Sequence, residues 1–309
     1  MKPDVNPETV SDFVDMVFRS GFVVVVGRPN VGKSTLVNRL VGRKISIVSD
    51  KPQTTRNRVA GVLTSQSAQV ILLDIPGFQK PRDELTIRMQ SAVDGAMDDA
   101  DGALFVLPAN EAIGKGDAFI ALQLRAVGVP TIAVVNKADL VSVQTAQQQL
   151  QKAAALGEFE NVMLVSAKTG LGVTELLPAL EQLLPVGPKY FPDEILTDRP
   201  EEWLVGELIR EKVLAATEEE IPHAVSVEVL EMEPRSDSDL VDIRAAVYVE
   251  RASQRPIILG RGGQKIKQIG SEARRDIEAL LGTRVYLDLL VQVRRRWRRN
   301  PGFLGRLGI

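Results

Sequence analysis

A glycine-containing segment near the amino terminus has the residue types and the spacing that bind a nucleoside triphosphate. Residues 27–34 read Gly-Arg-Pro-Asn-Val-Gly-Lys-Ser, which fits the pattern G-x-x-x-x-G-K-[ST]. In this pattern the backbone amides of residues 30–34 point at the β-phosphate, and the Lys33 ammonium reaches the β- and γ-oxygens. The Ser34 hydroxyl is a Mg²⁺ ligand. A chance glycine loop is the alternative, and the flanking elements decide between the two.

A second segment predicts which base is bound. Residues 136–139 read Asn-Lys-Ala-Asp. The Asp139 carboxylate can accept hydrogen bonds from the N1–H and the exocyclic amine of guanine, whereas adenine would present a lone pair at N1. A buried polar site of this kind rejects the analogue that lacks its donors by roughly 10⁴ or more. The two segments together predict GTP as the ligand.

A third segment follows an apolar run and can report on the γ-phosphate. Residues 74–77, Asp-Ile-Pro-Gly, come directly after Val70–Leu73. Asp74 can hold Mg²⁺ through water, and the Gly77 amide can bond the γ-phosphate and respond to its loss. Such tetrapeptides are common turns, so the motif gains weight only from its position after a strand.

Two threonines supply a candidate switch residue. Residues 52–56 read Pro-Gln-Thr-Thr-Arg and lie between the first predicted helix and Val70–Leu73. A threonine at this place supplies a further Mg²⁺ ligand. The spacing leaves Thr54 and Thr55 open, and we assign Thr55. The alternative is an ordinary polar loop.

The last of the five motifs is Ser166-Ala-Lys168, which follows the apolar run Val162–Val165. The Ala167 amide would reach guanine O6. The tripeptide alone carries little information, but the five motifs occur in one order along the chain. That order resembles the translation-factor-like Ras superfamily of GTPases.

Strand and helix patterns alternate over the first part of the chain. Short apolar runs that are rich in β-branched residues predict buried parallel strands, and helical patterns lie between them. This alternation predicts a doubly wound, mainly parallel α/β sheet. The predicted strands are Phe22–Val26, Val70–Leu73, Ala103–Leu107, Thr131–Val135 and Val162–Val165, and the predicted helices are Lys33–Leu40, Leu85–Asp98, Asp117–Ala126, Gln144–Ala155 and Val173–Leu184.

Prolines at 185, 188, 192 and 200 mark a change of pattern. We therefore divide the chain into an amino-terminal extension (1–20), a GTPase domain (21–185), a linker (186–200) and a smaller α+β domain (201–309). The second domain reads as helix Trp203–Thr217, strands Ala224–Glu233 and Leu240–Glu250, a short helix, helix Gln264–Leu281 and strand Arg284–Val293.

A glycine loop in the second domain predicts RNA binding. Gly260-Arg-Gly-Gly263 lies between two helical segments, and four isoleucines flank it at 257, 258, 266 and 269. Small residues let a phosphate backbone approach, and we expect the isoleucines to form an apolar groove for bases. The GXXG loop of KH modules binds a nucleic-acid backbone in this way, and the order of helices and strands in this half fits a type II KH domain. The loop is a weak signal by itself.

Charge supports a polyanion partner for this domain. Residues 251–309 hold fourteen basic and four acidic residues, a net charge of +10, which leaves 24 basic against 36 acidic residues, or −12, for 1–250. The run 294–299 has the alternative interpretation of a solvated basic face. We interpret Trp297 and Phe303 as core anchors rather than base-stacking residues, and His223 as structural.

Taken together, the two halves of the chain resemble the Era family of bacterial GTPases with a carboxyl-terminal KH domain. The resemblance covers nearly the whole chain after about residue 20 and rests on segments 27–34, 52–56, 260–270 and 300–304. Ile75 and Arg261 replace the usual threonine and lysine; neither change affects the expected function. The family implies binding to the 3′ end of 16S rRNA, a role in 30S subunit assembly and peripheral membrane contact.

The resemblance implies a full set of site residues. Lys33, Thr55 and Asn30 are the expected catalytic residues, and Ser34, Thr55 and Asp74 the expected Mg²⁺ site. The expected RNA contacts are Gly260, Arg261, Gly262, Gly263, Lys265 and Lys267. The expected nucleotide contacts are Gly27, Arg28, Pro29, Asn30, Val31, Gly32, Lys33, Ser34, Thr35, Asp74, Ile75, Pro76, Gly77, Phe78, Asn136, Lys137, Ala138, Asp139, Ser166, Ala167 and Lys168.

Phe78 predicts slow intrinsic hydrolysis. Ras-like enzymes orient the attacking water with a glutamine at this place, and a phenyl ring cannot do so. In related GTPases with the sequence Pro-Asn-x-Gly-Lys-Ser, the asparagine helps to bind a monovalent cation, so Asn30 and K⁺ are the candidate substitute. The alternative is that Asn30 is only a turn residue.

Two other functional classes fit part of the sequence. One is an RNA-binding adaptor whose nucleotide pocket is structural and catalytically silent; measurable GTP turnover would exclude it. The other is a ribosome-assembly GTPase with tandem GTPase domains, which the single P-loop and the intact Gly260–Gly263 loop argue against.

Composition is that of an ordinary globular protein. The 309 residues are 44% hydrophobic and 25% charged, with a net charge of −2 and no cysteine. Cysteine absence excludes disulfides and thiolate metal sites. Acidic residues within 1–20 argue against a secretory signal, and no apolar run approaches the ~18 residues of a membrane span. We expect a cytoplasmic monomer that contacts the inner face of the membrane only peripherally, with no DNA partner.

Asp139→Asn is expected to lose the preference for GTP and to gain affinity for xanthine nucleotides, because the C2 carbonyl of xanthine suits an amide donor. The relative affinities for GTP and XTP, measured by competition with a fluorescent nucleotide, check this expectation. A variant that still prefers GTP over XTP would show that the assignment of residues 136–139 is wrong.

Overall fold

Two β-sheets organise the parts of the chain that the computed structural model describes, residues 18–236 and 238–309. Residues 1–17 of the predicted extension lie outside the described residues. The first sheet has the strand order β2-β3-β1-β4-β5-β6. Its strands are β1 (Arg19–Val26), β2 (Val59–Thr64), β3 (Ala68–Asp74), β4 (Gly102–Pro108), β5 (Thr131–Asn136) and β6 (Asn161–Leu164).

Five helices cover the two faces of this sheet. Side chains alternate along each strand, so Val23 and Val25 pack in one apolar cluster and Val24 and Val26 in the other. All five parallel strands were predicted, and the doubly wound, mainly parallel α/β class is confirmed. The helices are α1 (Lys33–Val41), α2 (Glu84–Asp98), α3 (Lys115–Val127), α4 (Val143–Ala154) and α5 (Val173–Leu183).

Strand β2 was not predicted, and it runs antiparallel to β3. Its sequence, Val-Ala-Gly-Val-Leu-Thr, is short and carries Gly61 at its centre, which weakens the strand signal. A Cβ at Gly61 would lie 2.7 Å from Ile45 Cδ1 and 2.8 Å from Val41 Cγ2. A glycine at this place therefore lets α1 and the segment that follows it approach β2 closely.

The second sheet has the order β7-β8-β9, with β7 antiparallel and β9 parallel to β8. Helices α6 and α9 pack against it around buried residues such as Ile209 and Ile277. The predicted α+β order of the KH module is confirmed. The strands are β7 (Ser226–Pro234), β8 (Leu240–Val249) and β9 (Arg284–Val293), and the helices are α6 (Glu201–Ala215), α7 (Ile221–Ala224), α8 (Arg255–Leu259), α9 (Gln264–Leu281) and α10 (Pro301–Arg306).

The predicted linker 186–200 lies along the first sheet. The Gln69 side-chain oxygen accepts from the backbone amides of Tyr190 at 2.8 Å and Phe191 at 3.0 Å. The Tyr190 ring packs on Phe22 with centroids 5.0 Å apart. These contacts hold the connecting segment on the GTPase half; the domain boundaries themselves stay predictions.

A buried apolar cluster joins the two halves. Leu85 and Met89 of α2 pack with Tyr248, Trp297 and Phe303 from the carboxyl-terminal half. Trp297 is 0% exposed, and its indole Nε1 donates to the Ala224 carbonyl at 2.9 Å. The burial agrees with the interpretation of Trp297 and Phe303 as core anchors.

Trp297→Ala is expected to lower the free energy of unfolding by about 3–5 kcal/mol, because it leaves a large cavity and an unpaired Ala224 carbonyl. Urea unfolding measures the change. Val143→Ala, at a side chain 77% exposed, is the control and should stay within about 0.5 kcal/mol of wild type. A Trp297 variant as stable as that control would contradict the packing described.

Candidate nucleotide site and RNA surface

The phosphate loop, residues 27–34, joins β1 to α1 at the carboxyl edge of the first sheet and includes the first two residues of α1. Two of its glycines have positive φ, 153° at Gly27 and 99° at Gly32. A Cβ at Gly27 would lie 2.4 Å from the Val106 carbonyl, and one at Gly32 would lie 2.3 Å from Asn136 Nδ2. Only glycine fits at either place, which explains the spacing of the motif.

Lys33 is a buried cation within this loop. Its Nζ donates to the carbonyls of Gly27 at 3.1 Å and Arg28 at 3.2 Å. Burial lowers the pKa of Lys33, and the Asp74 carboxylate opposes that shift. An ammonium that two carbonyls hold at the phosphate loop is suited to the oxygens of a polyphosphate.

Asp74 ends β3 with its side chain fully buried. Burial raises the pKa of Asp74, and the Lys33 ammonium opposes that rise. Among the described residues, neither of its carboxylate oxygens makes a hydrogen bond of good geometry, although the nearby hydroxyls of Ser34 and Ser46 also oppose the rise in its pKa. A buried carboxylate that lacks hydrogen-bond partners in the protein usually contacts an ion or a water molecule.

Two hydroxyls complete a set of hard oxygen ligands near this carboxylate. Ser34 Oγ and Thr55 Oγ1 lie 3.3 Å apart, whereas the Thr54 hydroxyl donates to the Lys51 carbonyl at 2.6 Å. The structure thus favours Thr55 over Thr54. Oxygen donors from Ser34, Thr55 and Asp74 suit Mg²⁺, which takes few protein ligands and keeps its other positions for water and phosphate.

The residues predicted to select guanine meet at the ends of β5 and β6. Ser166 Oγ donates to Asp139 Oδ1 at 2.6 Å, which orients the carboxylate. Asn136 Nδ2 donates to the Val31 carbonyl at 2.9 Å and ties this corner to the phosphate loop. The Ala167 amide, expected at guanine O6, donates instead to Asn136 Oδ1 at 2.9 Å; its contact with the base stays a prediction.

A cavity of about 470 Å³ lies over the phosphate loop. It contains Lys137 of the guanine motif, but Asp139 and Ser166 lie outside its lining. The segment between α1 and β2 forms one wall. Sequence reasoning assigned Thr55 on that wall but missed its neighbours Ser49, Asp50, Lys51 and Gln53, as well as Gln79.

Phe78 lines the same cavity and packs edge-on against Phe119 with centroids 6.0 Å apart. Next to it, Gln79 Oε1 accepts from Gln53 Nε2 at 2.7 Å. Asn30 has a φ of 65°, and its Nδ2 donates to the Asp50 carbonyl at 2.6 Å. Asn30 thus has the backbone conformation of a turn residue, and its Oδ1 atom is the one suited to a cation.

The Gly260–Gly263 loop is open to an approaching backbone. Gly260, Gly262 and Gly263 have φ of 72°, 58° and 78°. A Cβ on Gly262 or Gly263 would meet no described atom within 4 Å. Arg261 is exposed at the tip. Left-handed glycines beside one arginine make a surface on which phosphates can approach the main chain.

The two predicted RNA lysines lie in different cavities. Lys267 lines a groove of about 280 Å³ between α9 and β9. Lys265 lines a separate cavity that also contains Glu218–Glu220. Residues that were not predicted from the sequence also line the groove, among them Gly270, Ser271 and Arg274 on α9, and Tyr286 on β9. The three residues on α9 lie three, four and seven positions after Lys267, a helical spacing that could have identified them.

The expected groove of four isoleucines is wrong in part. Ile266 lines the groove, but Ile258 and Ile269 are 0% and 1% exposed in the domain core. Ile257 lies in the cavity with Lys265. Ile266 and Ile269 lie three residues apart on one side of α9. Ile266 is at the border of that side, where it packs partly against the core and also lines the groove, whereas Ile269 is inside the core.

The basic run 294–299 is only partly a solvated face. The Arg294 guanidinium carbon lies 3.9 Å from the Phe303 ring centroid, and Arg298 pairs with Asp83 at 2.7 Å. Arg295 is exposed. Part of this run therefore holds the fold together rather than facing a polyanion.

Two family models match the two halves. A model described as a 50S ribosome-binding GTPase matches residues 22–137, and a model described as a KH domain matches residues 220–298. The first match contains segments 27–34, 52–56 and 74–77 and ends within 136–139, and the second contains the Gly260–Gly263 loop. The chain thus has a GTPase unit and a KH unit.

Solved structures extend the likeness over both units. A variant of Era from Aquifex aeolicus bound to GDP·AlF4⁻ is 36% identical over 94% of this chain and 99% of that chain, with a TM-score of 0.89. The chain belongs to the Era family of GTPases. Another Era structure, in complex with MgGDPNP and nucleotides 1506–1542 of 16S ribosomal RNA, is 36% identical with the same coverage and a TM-score of 0.87. Membership of the Era family explains why a nucleotide-binding loop and a GXXG loop occur in one chain.

Proposed function

We propose that this protein is a GTP-hydrolysing switch that binds 16S rRNA and acts in assembly of the 30S ribosomal subunit. One observation carries the proposal: the chain matches, almost end to end, an Era structure that holds MgGDPNP and a 16S rRNA segment together. The residues that would hold each ligand are present here, in a phosphate loop and an open glycine loop.

The small subunit is favoured over the large one. The family model whose description names the 50S subunit matches residues 22–137, which is the nucleotide-binding half. The relative solved with 16S rRNA matches both halves, including the KH unit. Since RNA selection belongs to the KH unit, the likeness in that half is the better guide to the subunit.

Backbone amides and side chains of the phosphate loop would assist GTP hydrolysis by stabilising charge. The backbone amides of residues 30–34 and the Lys33 ammonium stabilise negative charge on the β- and γ-phosphates, and their fixed positions avoid reorganisation. Ser34 and Thr55 would hold Mg²⁺, with Asp74 behind them. Mg²⁺, when bound, neutralises phosphate charge. The Gly77 amide would bond the γ-phosphate until it leaves as inorganic phosphate.

Hydrolysis is expected to be slow without a further group. Phe78 cannot orient water, and we propose that a monovalent cation held near Asn30 supplies charge at the phosphates. The supporting observation is that Asn30 sits at the cavity wall with its amide nitrogen already bonded to Asp50. The amide oxygen is the atom suited to K⁺.

GTP turnover is expected to rise several-fold when K⁺ replaces Na⁺, and Asn30→Ala should flatten this response. Phosphate release in the two salts measures it, and unchanged GDP affinity of the variant is the control for an intact pocket. Equal wild-type rates in both salts would remove the cation proposal and leave the GTPase assignment in place.

A catalytically silent adaptor is the second candidate. Such an adaptor would have the same RNA surface but no GTP turnover, so phosphate release by the purified protein distinguishes the two candidates.

In the described parts of the chain, no helix is long and apolar enough to cross a membrane. A cytoplasmic location, a monomeric state and peripheral membrane contact remain proposals from the family.

Replacing Arg261 and Gly262 together by Asp is expected to weaken rRNA binding on the order of 100-fold, because two carboxylates would face the phosphate backbone. GTP binding should persist, since the loop lies in the other domain. A filter-binding or fluorescence-anisotropy titration with a 16S rRNA 3′ fragment measures the loss.

The matched control places Asp at Arg125 and Ala126, two exposed positions on α3, and so changes the net charge equally. It should bind RNA as wild type does. A folded Arg261/Gly262 variant with wild-type affinity would move recognition to residues 294–299 or elsewhere.

A further inference from the structure

The loop between α1 and β2, residues 42–58, bonds to the carboxyl-terminal half at both ends of its pocket-lining part. The Val48 amide donates to Glu211 Oε1 at 2.9 Å. The Thr54 carbonyl accepts from Arg210 Nη2. Both partners lie on α6, one residue apart. Helix α6 thus holds a wall of the nucleotide cavity from outside the GTPase half.

Arg210 is positioned to orient the peptide that precedes Thr55. It is 1% exposed. Glu207 fixes its guanidinium with two bonds, from Nε at 2.7 Å and from Nη2 at 2.6 Å. The Thr54 carbonyl that Arg210 holds belongs to the same peptide group as the Thr55 nitrogen. A charge-assisted bond to that carbonyl restricts rotation of the plane that carries the Thr55 side chain.

Glu211 fixes the other end of the wall and extends the contact to α9. Besides the Val48 amide, its carboxylate accepts from Lys44 Nζ at 2.5 Å. Lys44 also pairs with Asp276 of α9 at 3.0 Å, and Lys212 with the same Asp276 at 2.7 Å. Helix α9 begins directly after Gly263, so the helix behind the RNA loop is part of this network.

A third contact lies just past Thr55. Arg56 donates to the carbonyls of Val225 at 2.7 Å and Pro222 at 3.2 Å. Its guanidinium carbon lies 5.5 Å from the Trp297 ring. Thr55 therefore lies between two residues that the KH half holds, Thr54 through its carbonyl and Arg56 through its side chain. The Thr55 hydroxyl is 3.3 Å from that of Ser34.

We propose that Arg210 and Glu211 of α6 are positioning residues for the Mg²⁺–GTP site. They hold residues 48–54 so that the Thr55 hydroxyl stays beside Ser34. The inference rests on the proposed GTPase function and adds that the geometry of the metal-binding threonine depends on side chains of the RNA-binding half. A purely structural role at the domain interface would stabilise the fold without affecting the loop or its response to Mg²⁺.

The first test uses the protein without nucleotide. Arg210→Met and Glu211→Met are expected to speed hydrogen exchange of backbone amides within 48–56 about tenfold, because each removes a bond that closes this segment. Arg210→Lys and Glu211→Gln keep a donor or an acceptor and should give smaller increases. Arg244→Met is the control: it removes an arginine–glutamate pair, Arg244–Glu231 at 3.0 Å, in the same half.

The second test measures the Mg²⁺ concentration that half-saturates binding of a fluorescent, non-hydrolysable GTP analogue. That concentration should rise about tenfold for Arg210→Met and Glu211→Met, and should stay at the wild-type value for Arg244→Met. GDP affinity should change less than twofold, because the Thr55 ligand belongs to the triphosphate state.

Wild-type exchange within 48–56 together with a wild-type Mg²⁺ requirement in the folded variants would overturn the proposal. If a methionine variant does not fold, Arg210→Lys and Glu211→Gln decide by the same two measurements. A wild-type protein that binds no GTP analogue would contradict the proposed function itself, and the exchange experiment would still decide whether α6 fixes the loop.

Discussion

A buried pair of opposite charges at the carboxyl edge of the first sheet constrains the rest of the structure. Lys33 is 8% exposed and Asp74 0%, and burial shifts both pKa values toward the neutral forms while each charge opposes the shift of the other. Burying two ions costs several kcal/mol each unless further partners satisfy them. Phosphate oxygens and Mg²⁺ are such partners. The pair is therefore best understood as part of a ligand site rather than as a stabilising salt bridge.

The same constraint operates between the two halves, where arginines are buried close together. Burial and the neighbouring Arg210 and Arg298 lower the pKa of Arg56, and Glu207 and Asp83 oppose that effect. Three guanidiniums around two carboxylates persist only if backbone carbonyls and aromatic packing hold them in place. Trp297, which contacts Arg56 and closes the apolar cluster, supplies that packing. The loop that carries Thr55 consequently belongs to both halves.

Much of the fold was predictable because parallel strands buried on both faces leave a plain signal. The runs around Val23 and Val70 predict strands, and the motifs that follow them fall at one edge by topology alone. Strand β2 was missed because Gly61, needed for contact with Ile45, interrupts its pattern. The contacts of Arg210 and Glu211 with the loop 42–58 were unpredictable in principle, since nothing in the local sequence of α6 indicates which loop the helix faces.

Not all of the basic residues in the carboxyl-terminal region lie on a surface that an RNA could contact. Arg298 compensates Asp83, and Arg294 lies on Phe303, so both serve the interior. Lys265 shares its cavity with the acidic residues 218–220, and a phosphate backbone on that side would be repelled. Lys267 instead lines the groove between α9 and β9, and no acidic residue is among the described residues that line that groove. Of the two sides, the groove between α9 and β9 is therefore the less repulsive for a polyanion.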